Sequence, residues 1–205
     1  DRSNHAGRPW PRDLALYVVS EVAKGLDYAH RRKDFNFDNL DIVHRGLSPS
    51  NILLSEGGEV KITDYGLSRA LEVLHDSQQR DPRARFLYAA PEYAEHLEAI
   101  PRSDLFALGL IAYEMLTGLH PYRGTDRPVR EAAIEADIPP LQDHVDLPSE
   151  VTTVIEAMLA RHPRDRLDSA GAVYEQLIGY LFEHDLRSDD RALSTFLDDL
   201  RSEDG

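Results

Sequence analysis

The stretch "IVHRGLSPSNILL", residues 42–54, decides the fold and raises the functional question. Two short apolar runs enclose a polar segment that turns through His44 and Gly46 and ends at Asn51. Apolar runs bounded by turn residues predict two short strands with a loop between them. Loops held by such elements often carry catalytic side chains. Glycine supplies none at position 46, so the loop is either an active site of unusual kind or the remains of one.

The composition indicates one soluble globular domain, or at most two small ones, in 205 residues. The net charge of −14, without a dense Lys/Arg cluster, argues against nucleic acid or anionic membrane as the main partner. The chain has no cysteine, which excludes disulfides and fits a cytoplasmic location. Its most apolar run, residues 105–113, is too short for membrane insertion. Because the chain starts at Asp1, we expect it to be a fragment.

Apolar periodicity predicts a mainly helical protein with one small β patch. Residues 11–30 form an amphipathic pattern, and residues 103–118 are apolar on nearly every side, which predicts a helix buried all round that ends at Gly118. Three further helices are predicted around residues 151–159, 173–181 and 188–205. The apolar stripe of the last one could pack on the domain or on a partner.

The remaining segments predict loops, a hairpin and one short helix. The glycine pair Gly57-Gly58 predicts a hairpin between "NILL" and "VKI". Residues 31–41 are expected to be an exposed loop, and residues 67–87 an irregular, mobile one. Pro91 is expected to open a short helix.

The segment "HRGLSPSN" (44–51) resembles the H-R-D-x-x-x-x-N catalytic loop of protein kinases. Four further kinase-like segments follow in the same order: "DYG" (64–66), "APE" (90–92), "SDLFALG" (103–109) and "HPRDRLDSA" (162–170). The resemblance runs from about residue 10 to residue 185 and is to bacterial Ser/Thr kinases. It implies a protein-kinase C-terminal lobe over residues 1–185, with an acidic helical extension over 186–205. No stretch fits the G-x-G-x-x-G loop, so the N-terminal lobe is expected to be absent.

The resemblance also implies what each loop residue would do. Gly46 stands where kinases carry the aspartate that accepts or orients the proton of the attacking hydroxyl. Asn51 and Asp64 match the two residues that hold Mg²⁺, although singly each is also a typical turn residue. Leu53 would form the floor under the adenine of a vestigial nucleotide site. Ser48 replaces the usual lysine, as in some bacterial kinases.

Other matched positions imply architecture. His44 and Tyr65 would belong to an apolar stack that joins the two kinase lobes. Asp104 would accept hydrogen bonds from the backbone near His44 and Arg45, and Arg45 receives an activation-loop phosphate in related kinases.

Two further matches complete the comparison. Glu92 should pair with Arg166. The Gly-Thr pair whose threonine supports the catalytic aspartate is replaced by Ala84-Arg85.

These matches lead to a hypothesis of a pseudokinase: a regulatory or scaffolding lobe in signalling, with no catalytic residue in the degenerate loop of His44, Arg45, Gly46 and Ser48. It would require no cofactor, though the intact parent could bind Mg-ATP. Its partner would be a protein, such as a missing N-terminal lobe or a regulator. The alternative is a Ser/Thr kinase with weak residual phosphotransfer when joined to an N-lobe. Gly46 could also have been engineered.

Overall fold

A computed structural model describes residues 8–40, 42–65, 85–123, 127–186 and 188–203. The elements in chain order are α1 (Arg12–His30), β1 (Ile52–Leu54), β2 (Val60–Ile62), α2 (Pro91–His96), α3 (Pro101–Thr117), α4 (Val129–Glu135), α5 (Ser149–Met158), α6 (Ala170–Glu183) and α7 (Asp190–Glu203). Short 3₁₀ turns lie at Pro49–Asn51, Leu141–Asp143 and Pro163–Asp165. The mainly helical prediction with a small β patch is therefore confirmed. Within the described residues, no helix has both the length and the apolar character that spanning a bilayer requires.

The core lies between α1, α3 and α6. Helix α1 packs against both of the others, and residues 103–113 of α3 are buried without interruption. A helix that is apolar all round must be covered on every side, which explains the central place of α3. It ends where the sequence predicts, because Gly118 adopts a left-handed φ of 71° that closes a helix at little cost.

The predicted hairpin is present, with Ile52 opposite Ile62 in an antiparallel pair. Gly58 in its turn has a φ of 80°. The predicted strand at Ile42–His44 is wrong, since this segment is not assigned to a strand. The backbone N–H of His44 donates to a carboxylate of Asp104, 2.8 Å away, so a side chain takes the place of a neighbouring strand.

Helix α7 packs on the domain, one of the two options that its sequence left open. Its Leu193 is fully buried in the same core cluster as α1. Phe196 lies 5.0 Å from Trp10 between ring centroids, and the Ser194 hydroxyl donates to the carbonyl oxygen of Glu56 in the hairpin turn at 2.6 Å. Helix α7 thus contacts and stabilises the turn of the hairpin.

Two loop regions and one helix complete the comparison with the sequence. Residues 31–40 are largely exposed, as predicted, and Phe35 is 89% exposed. Most of the predicted irregular segment, residues 67–84 of 67–87, lies outside the described residues. Helix α4 was not predicted.

Candidate functional site

Asp104, in the first turn of α3, holds the start of the loop of residues 44–51, the central loop, in place. Its carboxylate accepts hydrogen bonds from the backbone of His44 at 2.8 Å and of Arg45 at 3.0 Å. The His30 side chain at the end of α1 makes a third, at 2.8 Å. These hydrogen bonds hold the backbone of Arg45 in the left-handed region, with a φ of 69°. This conformation is unfavourable for a residue that has a side chain. The two backbone contacts were predicted; His30, the last residue of the predicted helix, was missed.

His44 and Tyr65 meet as the resemblance implied. Their ring centroids lie 4.8 Å apart, and the Nε2 atom of His44 is 2.8 Å from the carbonyl oxygen of Thr63. Because Nδ1 accepts the backbone N–H of Gly46 at 3.3 Å, we assign the proton to Nε2. Burial and the nearby Asp104 charge raise the pKa of Tyr65 to about 12, so this ring is uncharged at neutral pH.

The two predicted metal ligands are side by side. The Asn51 amide donates to the Asp64 carboxylate at 3.0 Å, and the Ser48 hydroxyl donates to the Asn51 amide oxygen at 2.7 Å. A carboxylate and an amide oxygen suit Mg²⁺, which takes its other ligands from water and phosphate. The residue types therefore fit a magnesium ion, provided that the Asn51 oxygen turns away from Ser48. In the described part of the chain, no cluster of three or more His, Cys, Asp or Glu forms a separate metal site.

Leu53 presents an apolar surface on the hairpin. The residue is 53% exposed and pairs with Lys61 across the two strands. An exposed leucine is what the floor of an adenine pocket would need, and Leu53 is the middle residue of strand β1, which follows Asn51.

Gly46 lies at a cavity of about 60 Å³. Arg45, Arg85, Tyr93 and Asp104 are among the residues that line it. The Arg85 guanidinium donates to the Tyr93 hydroxyl at 3.3 Å and lies over the Tyr93 ring at 5.8 Å from its centroid. The two departures from the kinase pattern, 39 residues apart in sequence, thus share one space. Ala84, the other predicted departure, lies outside the described residues.

The predicted pair of Glu92 and Arg166 is present and bidentate, with both N–O distances at 2.8 Å. The Arg166 side chain is 0% exposed. Burial alone would raise the pKa of Glu92, but hydrogen bonds from Arg166 and Ser103 outweigh it and hold that pKa below its usual value. The pair ties the start of α2 to the segment before α6.

Comparison with known proteins gives one family model. The protein kinase domain model matches residues 6–178. The chain is 34% identical to the tyrosine-protein kinase MasK of Myxococcus xanthus, and the matched region covers 91% of this chain and 29% of MasK. It is 32% identical to the serine/threonine-protein kinase PknB of Mycobacterium leprae, over 85% of this chain and 27% of that one. The chain thus spans less than a third of the length of these bacterial relatives.

Proposed function

Because this chain belongs to the protein kinase domain family, we propose that it is the helical lobe of a pseudokinase. It acts as a regulatory or scaffolding platform for another protein, and phosphoryl transfer is lost or severely impaired. One observation carries the proposal: Gly46, at the position of the loop aspartate, shares a cavity with Arg85, at the position of the supporting threonine. Neither the carboxylate nor the hydroxyl of that catalytic unit is available from these two positions.

The loss matters because the aspartate orients the attacking hydroxyl in kinases. General acid–base catalysis contributes roughly 10²–10⁴-fold to a rate, so a lobe with Gly46 should be slower by a factor of this order. The Arg85 guanidinium is positive and cannot accept a proton. It therefore cannot replace the missing base.

The architectural contacts, in contrast, are retained. Asp104 still fixes the loop through its three hydrogen bonds, and Arg166 still pairs with Glu92. A lobe that keeps these buried contacts and lacks its base is suited to binding rather than turnover. The partner would be a protein, either an N-terminal lobe or a regulator, and the cytoplasmic location stays a prediction.

A weak kinase is the second candidate, and the contact between Asn51 and Asp64 favours it. These residues would hold Mg²⁺, and Leu53 would support the adenine of ATP. When bound, the ion would supply neutralisation of phosphate charge, which is a large part of phosphoryl-transfer catalysis. The parent protein could then keep slow transfer without the aspartate.

The test is phosphoryl transfer from ATP by the intact parent protein and its Gly46→Asp and Asp64→Asn variants. We expect the native rate to equal that of Asp64→Asn. Turnover that disappears in Asp64→Asn would overturn the pseudokinase proposal and establish the weak kinase. Thermal shift with Mg-ATP, run in parallel, separates loss of nucleotide binding from loss of chemistry, because a ligand of the folded state raises its stability.

The Gly46→Asp variant then tests the reason for the loss. If nucleotide binds and Gly46→Asp gains rate, the missing carboxylate is the cause. If nucleotide binds and no rate appears, the defect lies beyond Gly46, and Arg85→Thr is added to the same variant to restore the whole unit.

A further inference from the structure

The open end of the β1–β2 hairpin carries the two candidate magnesium ligands. Asn51 directly precedes β1, and Asp64 follows closely after the end of β2. The backbone N–H of Thr63 donates to the carbonyl oxygen of Asn51 at 2.9 Å, which extends the hydrogen-bonded ladder beyond the paired strands. The hairpin therefore sets the position of Asn51 relative to Asp64.

A hairpin of this size needs support from other elements. Each strand has three residues, and an isolated two-stranded hairpin is only marginally stable in water. The core beneath the strands is one support, against which four partly buried side chains pack: Ile52, Leu54, Val60 and Ile62. The turn, residues 55–59, lies at the opposite end from Asn51 and Asp64, and a different element contacts it.

Helix α7 contacts this turn through a hydroxyl and through its backbone. The Ser194 hydroxyl donates to the carbonyl oxygen of Glu56 at 2.6 Å. Gly58 is buried in the turn, and a Cβ atom there would lie 1.7 Å from the carbonyl oxygen of Asp190, so the two backbones are in direct contact. The ion pair of Arg201 with Glu56 adds little, because both side chains are exposed. The hydroxyl and the close backbone contact therefore hold the turn.

Helix α7 is held less firmly than the core helices. Leu193 is the one buried residue among the described residues of α7, and Phe196 is partly buried near Trp10. Residues 103–113 of α3, in contrast, are all buried. Elements with few buried apolar contacts open at a lower free energy than the core. Helix α7 can therefore leave the turn while the rest of the domain stays folded.

We propose that α7 is a regulatory clamp on the hairpin: when it is docked on residues 55–59 it keeps Asn51 and Asp64 in register, and its release weakens the binding of Mg-ATP there. Only the last step, the binding of Mg-ATP, rests on the weak-kinase candidate under the proposed function. Such coupling is reciprocal, so a ligand that binds better with α7 docked must also favour docking.

Hydrogen exchange of the intact parent protein without nucleotide tests the clamp itself. Ser194→Ala should speed exchange of the Thr63 amide roughly 2- to 10-fold, the range expected when one hydrogen bond is lost. Thr195→Ala is the matched control, because the Thr195 hydroxyl donates within α7, to the carbonyl oxygen of Arg191 at 3.0 Å. It should leave the exchange of Thr63 unchanged. Amides in the centre of α3 report global unfolding and should exchange alike in all of these proteins.

A second variant gives a graded response. Leu193→Ala removes the one buried side chain of α7 and should speed exchange of Thr63 more than Ser194→Ala does. Unchanged exchange of Thr63 in both variants would overturn the clamp. Equal acceleration at Thr63 and in α3 would also overturn it, because the effect would then be a general loss of stability.

Titration calorimetry with Mg-ATP tests the consequence for binding. Ser194→Ala should bind Mg-ATP roughly 2- to 10-fold more weakly than the native protein and Thr195→Ala, and Mg-ATP should slow exchange of the α7 amides in the native protein. Equal affinities would refute the coupling to nucleotide. If the native protein binds no Mg-ATP, the nucleotide site fails, and the exchange of Thr63 still decides whether α7 controls the hairpin.

Discussion

Replacement of Glu92 by glutamine should remove a large part of the stability of this domain. The Arg166 side chain is 0% exposed and has five N–H donors. Two of its hydrogen bonds go to the two carboxylate oxygens of Glu92, and the others go to the carbonyl oxygens of Ala160, Arg102 and Arg161. Glu92→Gln keeps the shape of the side chain but leaves a buried positive charge without a counter-charge.

Breaking a buried ion pair in this way typically costs about 3–5 kcal/mol. Domains are stable by only about 5–15 kcal/mol, so the variant should lose roughly a fifth or more of its stability. The assay is urea unfolding followed by circular dichroism, where the midpoint falls and the slope stays constant if only stability has changed. Glu95→Gln, on the same helix but 53% exposed, is the matched control and should change stability by less than about 0.5 kcal/mol.

A loss below about 1 kcal/mol for Glu92→Gln would refute the claim that the pair is buried and hydrogen-bonded as described. The pH dependence gives an independent check. The pKa of Glu92 is lowered in the folded state, so its contribution is present above the unfolded pKa of 4.5 and is lost as pH falls below that value. The native protein should therefore approach Glu92→Gln in stability under acidic conditions.

Three further substitutions test other contacts. Gly58→Ala should detach the start of α7 from the hairpin turn, because the added Cβ atom would lie 1.7 Å from the carbonyl oxygen of Asp190. Hydrogen exchange should then show lost protection of the amides in α7, and unchanged protection would contradict that contact. Burial and a neighbouring arginine lower the pKa of His120 from 6.5 to about 4. The free energy of unfolding should therefore fall by up to about 3 kcal/mol as the pH is lowered from 6.5 to about 4, since only the unfolded state binds the proton in this range. Urea unfolding of His120→Asn should not show this pH-dependent loss. Asp104→Asn should lower the free energy of unfolding in urea by about 1–3 kcal/mol, because an asparagine amide has one accepting oxygen and leaves one of the two backbone N–H groups, of His44 or Arg45, without an acceptor. A change within about 0.5 kcal/mol would refute the anchoring role of Asp104.

Periodicity predicted the long elements because burial leaves a clear pattern on them. Residues 103–113 had to be covered on every side, and they are. Helix α4, Val129–Glu135, escaped prediction because it spans only 7 residues and buries two alanines, Ala132 and Ala133, which form no apolar stripe. The segment Ile42–His44 looked like a strand because it is apolar, but its partner is the Asp104 carboxylate, which comes from 60 residues away.

The site was predicted by resemblance rather than by pattern. No periodicity connects Gly46 with Arg85, and only matched motifs suggested that both belong to one catalytic unit. The hydrogen bond from Ser48 to Asn51 could not be foreseen, because it depends on the rotation of one amide group. His30 gave a weak signal, a basic residue in the last turn of a predicted helix, which is common for reasons unrelated to a site.

Three consecutive residues of α3 would allow the proposed loss of the loop aspartate without loss of the fold. The carbonyl oxygen of Arg102 accepts from Arg166, the hydroxyl of Ser103 donates to Glu92 at 2.6 Å, and Asp104 holds the central loop. The first turn of α3 therefore joins the ion pair to the loop in one buried network. Among the described residues, the hydrogen bond of Gly46 to this network runs from its backbone N–H to His44. In the described part of the chain this network needs no side chain at position 46, so the proposed loss of the aspartate would leave the lobe folded.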